Sequence, residues 1–186
     1  MKINVHDIQP AKPRRLVFDG HEGFLKEILE RLVEDDPAPA AKRNDAVSAT
    51  LTLTRDGKTV HVEGEAHATI HPPCARCLKP VTTALDPQIA LSLLPARAAD
   101  VEAKAEDVQL ADEELDDYTY SNDEIDVGAI LNEQLLLERP FRILCSEDCK
   151  GLCPNCGLDL NESLCTCAPQ PKSLAFAALK DFKPRN

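Results

Sequence analysis

Between residues 46 and 70 hydrophobic and polar positions alternate. Val47, Ala49, Leu51 and Leu53 are spaced by Ser48, Thr50 and Thr52, and the pattern resumes with Val60, Val62, Ala66, Ala68 and Ile70. A period of two predicts strands with one buried and one polar face. The intervening Asp56-Gly57 reads as the tight turn of a hairpin. "VTTALDPQIALSLLP" extends the strand pattern, with Val81, Leu85, Ile89, Leu91 and Leu93 on one side and Pro87 marking an edge or a bulge. His61, His67 and His71 fall on the polar face, where they read as solvated strand positions before they read as a ligand ladder.

Helical spacing appears in three places. Leu25, Ile28, Leu29 and Leu32 form one stripe in "HEGFLKEILERLVEDD". "EIDVGAILNEQLLLERP" turns Val127, Ile130, Leu131 and Leu135 inward until Pro140 stops it. In the tail, Ser173 caps a last short helix carrying Leu174, Ala178, Leu179 and Phe182. "MKINV" and "RRLVF" read as short strands, "DPAPAAKRND" as a loop, and residues 95–123 as a long acidic loop in which "DYTYS" pairs as a short strand. The sum predicts an α+β fold: an antiparallel sheet or partly open barrel, a few short helices, and a C-terminal zinc-ribbon-like cysteine segment. Residues 1–140 would form the sheet domain, and residues 141–186 a cysteine-rich segment and helix packed on it.

Composition narrows this. The chain of 186 residues is 43% hydrophobic, has no Trp and only five Phe and two Tyr, so a core must be built from Leu, Val, Ile and Ala. No apolar stretch resembles a signal peptide or a membrane span. A cytoplasmic setting follows as the expectation, and there thiols stay reduced.

Eight cysteines in such a chain read as metal ligands. Six lie in "CSEDCKGLCPNCGLDLNESLCTC", and two lie far upstream in "CARC". Two Cys separated by two residues can grip one ion from a single turn, and a Gly after the second helps the turn fold back. "CPNCG" has this form, and "CTC" supplies a second pair nearby. Cys153, Cys156, Cys165 and Cys167 therefore make one local zinc site. Cys145 and Cys149 with Cys74 and Cys77 make the other, a staple between the sheet and the C-terminal segment. An alternative pairing joins Cys74 and Cys77 to Cys153 and Cys156. Four thiolates per ion leave no open position for water, and no phosphate loop, nucleophile elbow or His-Glu zincin motif is present. The expectation is two structural Zn²⁺ and no catalytic site.

"CARCLKP", the acidic approach to "EIDVGAILNEQLLLERP", "CSEDCKGLCPNCGLDLN" and "LAFAALKDF", in this order and spacing over roughly residues 45–182, resemble the bacterial YceD family. The resemblance implies a cytoplasmic, non-enzymatic protein linked to accumulation of large-subunit ribosomal RNA.

Charge shapes the partner. The net charge is −11, which opposes phosphate binding by the chain as a whole. Residues 100–138 hold 14 of the 32 acidic residues and one of the 21 basic ones, so the rest is nearly neutral. Asp112, Glu113, Glu114, Asp116 and Asp117 would face a basic ribosomal protein or the large-subunit precursor. Arg76, Lys79, Arg142 and Lys150, with Arg139, surround the cysteines, where they either offset the thiolates or face RNA. The leading expectation is a ribosome-assembly factor acting by binding. A zinc-stabilised module binding RNA directly is the alternative, and a redox-regulated holdase releasing zinc on oxidation is the third. No membrane or small-molecule substrate is implied.

Overall fold

The 46–70 alternation folds as a long antiparallel hairpin in the computed structural model, which describes residues 1–10, 12–33, 45–96 and 118–167. Strands β3 (Ala46–Asp56) and β4 (Thr59–Ile70) pair without a break from Ala46↔Thr69 to Asp56↔Thr59. The connecting loop is Gly57-Lys58, one residue later than the Asp-Gly reading. Asp56 is the last paired residue, and Gly57 takes φ 58°, the positive φ that a two-residue loop matched to strand twist needs at its first central position.

Around this hairpin the described elements run β1 (Lys2–Asn4), a 3₁₀ turn (Val5–Asp7), β2 (Arg14–Phe18), α1 (Gly23–Leu32), β3, β4, β5 (Thr83–Leu85), β6 (Gln88–Pro95), β7 (Tyr118–Tyr120), β8 (Glu124–Asp126) and α2 (Val127–Glu138). The main sheet has the order β2-β3-β4-β6-β7, with β5 also on β4. Its outer strands β2 and β7 do not pair with each other, so the sheet is open. All its pairings are antiparallel except β6 with β7.

The single strand expected over 81–95 is two strands laid end to end along β4. β5 pairs with Ala68–Ile70 and β6 with Val60–Glu65. Pro87 lies at the break, and its carbonyl still accepts the Ala66 N–H at 3.2 Å. This is the bulge that a proline inside a strand produces.

The even-numbered face of β4 and the odd-numbered face of β3 are buried, with Leu51, Leu53, Val60, Val62, Ala66 and Ile70 fully covered. α1 packs against β3 and α2 against β4, and the two helices touch each other. α1 buries Leu25, Ile28 and Leu32, and α2 buries Val127, Ile130, Leu131 and Leu135, the stripes that the spacing predicts. Phe18 meets Phe24 edge to face, ring centroids 5.2 Å apart.

α2 starts later than its sequence suggests. Glu124–Asp126 form β8, paired with β1 from Lys2↔Asp126 to Asn4↔Glu124. Asp126 is the N-cap, its Oδ1 accepting the Ala129 N–H at 3.1 Å. The tail helix expected at 173–182 and the residues 97–117 of the acidic loop lie outside the described residues. No described helix is long and apolar enough to cross a membrane.

Candidate metal centres

The connection from β4 to β5 carries Cys74 and Cys77 at the end of the sheet. Its local geometry is repeated in the C-terminal segment. The Cys74 N–H donates to the Lys79 carbonyl at 2.7 Å and the Leu78 N–H to the Cys74 carbonyl at 3.0 Å. In the same offsets, the Cys153 N–H donates to Leu158 at 2.8 Å and the Gly157 N–H to Cys153 at 2.9 Å. Each first sulfur accepts a backbone N–H two residues on, from Arg76 at 3.5 Å and from Asn155 at 3.4 Å. An isolated bridge closes each turn, Pro73↔Pro80 and Leu152↔Asp159. "CARCLK" and "CPNCGL" are thus two copies of one knuckle.

The residue after the second cysteine shows the difference between the copies. Both positions are left-handed, φ 61° at Leu78 and 72° at Gly157. Glycine accepts this freely, whereas an L-residue with a side chain loses about 1–2 kcal/mol there. Leu78 is largely exposed and packs little. Leu78→Gly should therefore raise stability, by up to about 1 kcal/mol after the extra freedom of an unfolded glycine is subtracted. Thermal unfolding at fixed metal loading measures it. A loss of stability would show that the leucine side chain makes contacts that outweigh the backbone strain.

The structure gathers all eight cysteines into two tetrads, Cys74, Cys77, Cys145 and Cys149, and Cys153, Cys156, Cys165 and Cys167, with the sulfurs of each within 4.8 Å of one another. The alternative pairing of Cys74 and Cys77 with Cys153 and Cys156 is not formed. Sulfur separations are 3.8 Å for Cys74–Cys149, 3.6 Å for Cys77–Cys145, 3.6 Å for Cys156–Cys165 and 3.3 Å for Cys153–Cys165. A tetrahedron of sulfurs at about 2.3 Å from one ion has edges of roughly 3.8 Å. Disulfide sulfurs lie at about 2 Å, and all eight cysteines are free.

The electrostatics fit the same occupant. Burial pushes the Cys74 thiol up, but backbone N–H groups of Cys77, Arg76 and Cys145 aimed at its sulfur outweigh this and bring it down to about 6. The N–H groups of Cys156 and Asn155 bring Cys153 to about 6. Crowding does the opposite to the last members. Cys149 and Cys77 push Cys145 up to about 12, and Cys165 and Cys156 push Cys167 up to about 12. Each tetrad thus favours a first thiolate and resists the fourth. A divalent cation at the centre removes that conflict, so the two tetrads can hold metal ions.

The first tetrad is deep. Cys74, Cys77 and Cys149 are buried, with Val81, Leu144 and Leu152 packed against them. Around it the C-terminal segment is tied to the sheet end by backbone bonds, Ala75 N–H to Ile143 at 2.8 Å and Leu152 N–H to Arg76 at 3.2 Å. In the second tetrad Cys156 and Cys167 are exposed and only Cys153 is buried.

Two of the basic residues that the sequence offers to the thiolates or to RNA are tied into this joint. Arg76 Nη1 donates to the carbonyls of Glu147 at 3.1 Å and Cys149 at 2.6 Å. Lys79 Nζ pairs with Asp159 at 2.8 Å and Glu162 at 2.5 Å, and Asp159 raises the Lys79 ammonium above its ordinary value. Sequence reasoning could not see the Arg76 contacts, because a carbonyl acceptor has no residue type, nor the Lys79 pairs, because their acids lie far along the chain. It also missed Asn161, whose Nδ2 lies 3.5 Å from the Cys149 sulfur and whose Oδ1 accepts the Lys150 N–H at 2.8 Å. The Lys150 and Arg142 side chains make no ion pair with the described residues. Asp112, Glu113, Glu114, Asp116 and Asp117 lie outside those residues.

The three strand histidines do not converge. His61 bonds Ser92 at 2.9 Å, His67 bonds Asp86 at 2.8 Å, and His71 bonds Asp45 at 3.0 Å. Asp86 raises the His67 imidazole above its ordinary value. None of the three joins a metal-fitting group among the described residues.

Comparison with known proteins places this arrangement. An uncharacterized protein of Mycobacterium tuberculosis is 36% identical over 90 residues, 47% of this chain and 38% of its own length. The chloroplastic large ribosomal RNA subunit accumulation protein YCED homolog 1 is 30% identical over 60 residues in Arabidopsis thaliana, 32% of this chain and 19% of that one. Its Zea mays counterpart is 42% identical over 48 residues, 25% of this chain and 16% of that one. The matched stretches thus span well under half of these relatives. No solved structure matches. The profile of the family described as large ribosomal RNA subunit accumulation protein YceD matches residues 62–183, from mid-β4 through both knuckles, and the chain belongs to the YceD family.

Proposed function

We propose that this protein supports accumulation of large-subunit ribosomal RNA by binding the precursor particle, not by catalysis, and that its two metal ions are structural zinc. The observation that carries this is the closure of both centres. Each assembles four sulfurs, joined by no His, Asp or Glu among the described residues, and a four-thiolate zinc has no position for a substrate or an activated water. The family description supplies the biological direction. Thiolate ligands and tetrahedral spacing favour zinc among the common divalent ions.

Affinity capture from lysate, with and without ribonuclease, tests the reading. Large-subunit ribosomal proteins or precursor RNA should be enriched over small-subunit components. Capture with no large-subunit component would refute it. The acidic run provides a surface for a basic ribosomal protein within that particle. Neutralising Asp112, Glu113, Glu114, Asp116 and Asp117 to Asn or Gln should weaken capture of such a protein, chiefly by slowing association, with an effect that shrinks at high salt. Unchanged capture would exclude this surface.

A further inference from the structure

We infer that the link between α2 and the first tetrad, residues 139–142, is a contact for unpaired RNA, with Phe141 as a stacking platform between Arg139 and Arg142. This rests on the binding role proposed above and names one of its surfaces.

Phe141 is wholly exposed, in a chain with only five Phe and no Trp, and Leu137 one turn before is 71% exposed. A single exposed apolar residue is ordinary, but this one is neither terminal nor loosely attached. On one side lies α2, whose end is bonded through the Arg139 N–H to the Leu136 carbonyl at 3.2 Å. On the other, the Ile143 carbonyl accepts the Ala75 N–H at 2.8 Å and Leu144 packs against the buried cysteines. Pro140 stiffens the span between. The fold therefore holds a bare aromatic ring in place.

The charges choose its partner. From Arg139 to Ser146 the segment has two arginines and no acid, and neither arginine makes an ion pair with the described residues. The nearest acids, Glu138 and Glu147, lie at the ends of the segment, so a basic ribosomal protein would find no acidic side chain between the arginines and the ring. The chain's own last residues, 168–186, carry four basic side chains against one acidic, so charge does not draw them to the two arginines. An anionic partner with planar apolar faces fits both the guanidinium groups and the ring. Single-stranded RNA has that chemistry, its bases stacking on aromatic rings and its phosphates taking arginine. Arg76 and Lys79 are engaged within the joint, whereas Arg139 and Arg142 flank the exposed ring without an ion pair among the described residues.

The full-length, zinc-loaded protein should bind a short labelled single-stranded RNA of mixed sequence, read by anisotropy. Phe141→Ala should weaken binding roughly 5- to 100-fold, the range for loss of one stacked base. Phe141→Trp should retain affinity. As the chain has no other Trp, its emission should be quenched on RNA addition. Arg142→Gln should weaken binding and lower the salt slope by about 0.7. Metal content and thermal unfolding should be unchanged in all three. Wild-type affinity in Phe141→Ala, unquenched Trp emission at saturating RNA, or no RNA binding by the parent protein would each overturn the inference. So would loss of a ribosomal protein from ribonuclease-treated captures of Phe141→Ala with RNA affinity intact, which would make the loop a protein contact. If Phe141→Ala still captures large-subunit precursor, the inference falls while the proposed function stands. If the parent protein captures none, the proposed function itself falls.

Discussion

Cys74→Ser should release one of the two zinc ions proposed above and undock the C-terminal segment from the sheet. The sulfur it removes is fully buried and accepts the Arg76 and Cys145 N–H groups. Its partner Cys149 lies 75 residues away in sequence. Closing a loop of that length costs roughly 4 kcal/mol, whereas a structural zinc contributes on the order of 10 kcal/mol or more. Without the metal, the closure rests on a few hydrogen bonds, the small apolar cluster of Val81, Leu144 and Leu152, and the exposed Lys79 pairs, which contribute little. Cys167→Ser should also release one ion, but from the other centre, whose ligands all lie between Cys153 and Cys167. The sheet and its joint to residues 143–152 should survive that change. Metal analysis of each variant, with amide exchange at Ala75 and Leu152, separates the two results. Equal loss of protection at Ala75 in both variants would show that the centres do not act separately.

Gly64→Ala should be among the most damaging changes in the sheet. A Cβ at this position would lie 2.1 Å from the Thr50 carbonyl oxygen and 2.9 Å from the Leu51 Cα, both backbone atoms of β3, and its φ is 155°. Gly64 pairs with Leu51 on one side and Ile89 on the other, so β4 cannot move away from one neighbour without losing the other. The expected cost is about 3 kcal/mol or more, at the high end for one substitution. For a chain of this size that is a fall in Tm of roughly 6–12 °C. Gly23→Ala is the control, since a Cβ there meets nothing within 4 Å. If the two variants melt together, β4 bends more freely than its pairing indicates.

What the sequence revealed depended on how local the cause was. The β3–β4 hairpin was legible because alternation and a glycine turn act within 25 residues. The stripes of α1 and α2 were legible because Leu25, Ile28 and Leu32 recur at the pitch of one helix. The cysteine grouping was reachable because "CPNCG" and "CTC" lie close together and leave four others. The β1–β8 ribbon was not legible, since three-residue strands 122 positions apart carry no period of their own. Nor was the parallel placement of β7, which depends on how the chain returns from β6. The surroundings of Arg76 and Lys79 stayed open for a related reason. A cation beside cysteines suggests either the thiolates or an external anion, and the folded joint adds partners that neither reading named: backbone carbonyls for Arg76 and Asp159 for Lys79.

The first centre also imposes an order on synthesis. Its two halves are made far apart in time: at about 5–20 residues per second, the 75 residues from Cys74 to Cys149 take roughly 4–15 s to emerge. A two-residue hairpin loop closes in microseconds, so β3 and β4 can be paired long before then. For those seconds the nascent sheet presents a two-thiol half-site, able to chelate weakly but not to close. The second centre completes itself from one short stretch only after that wait ends. A newborn chain can therefore pass through a stage in which its sheet is formed and its thiols are open, and a shortage of the metal that fills the centre would lengthen that stage.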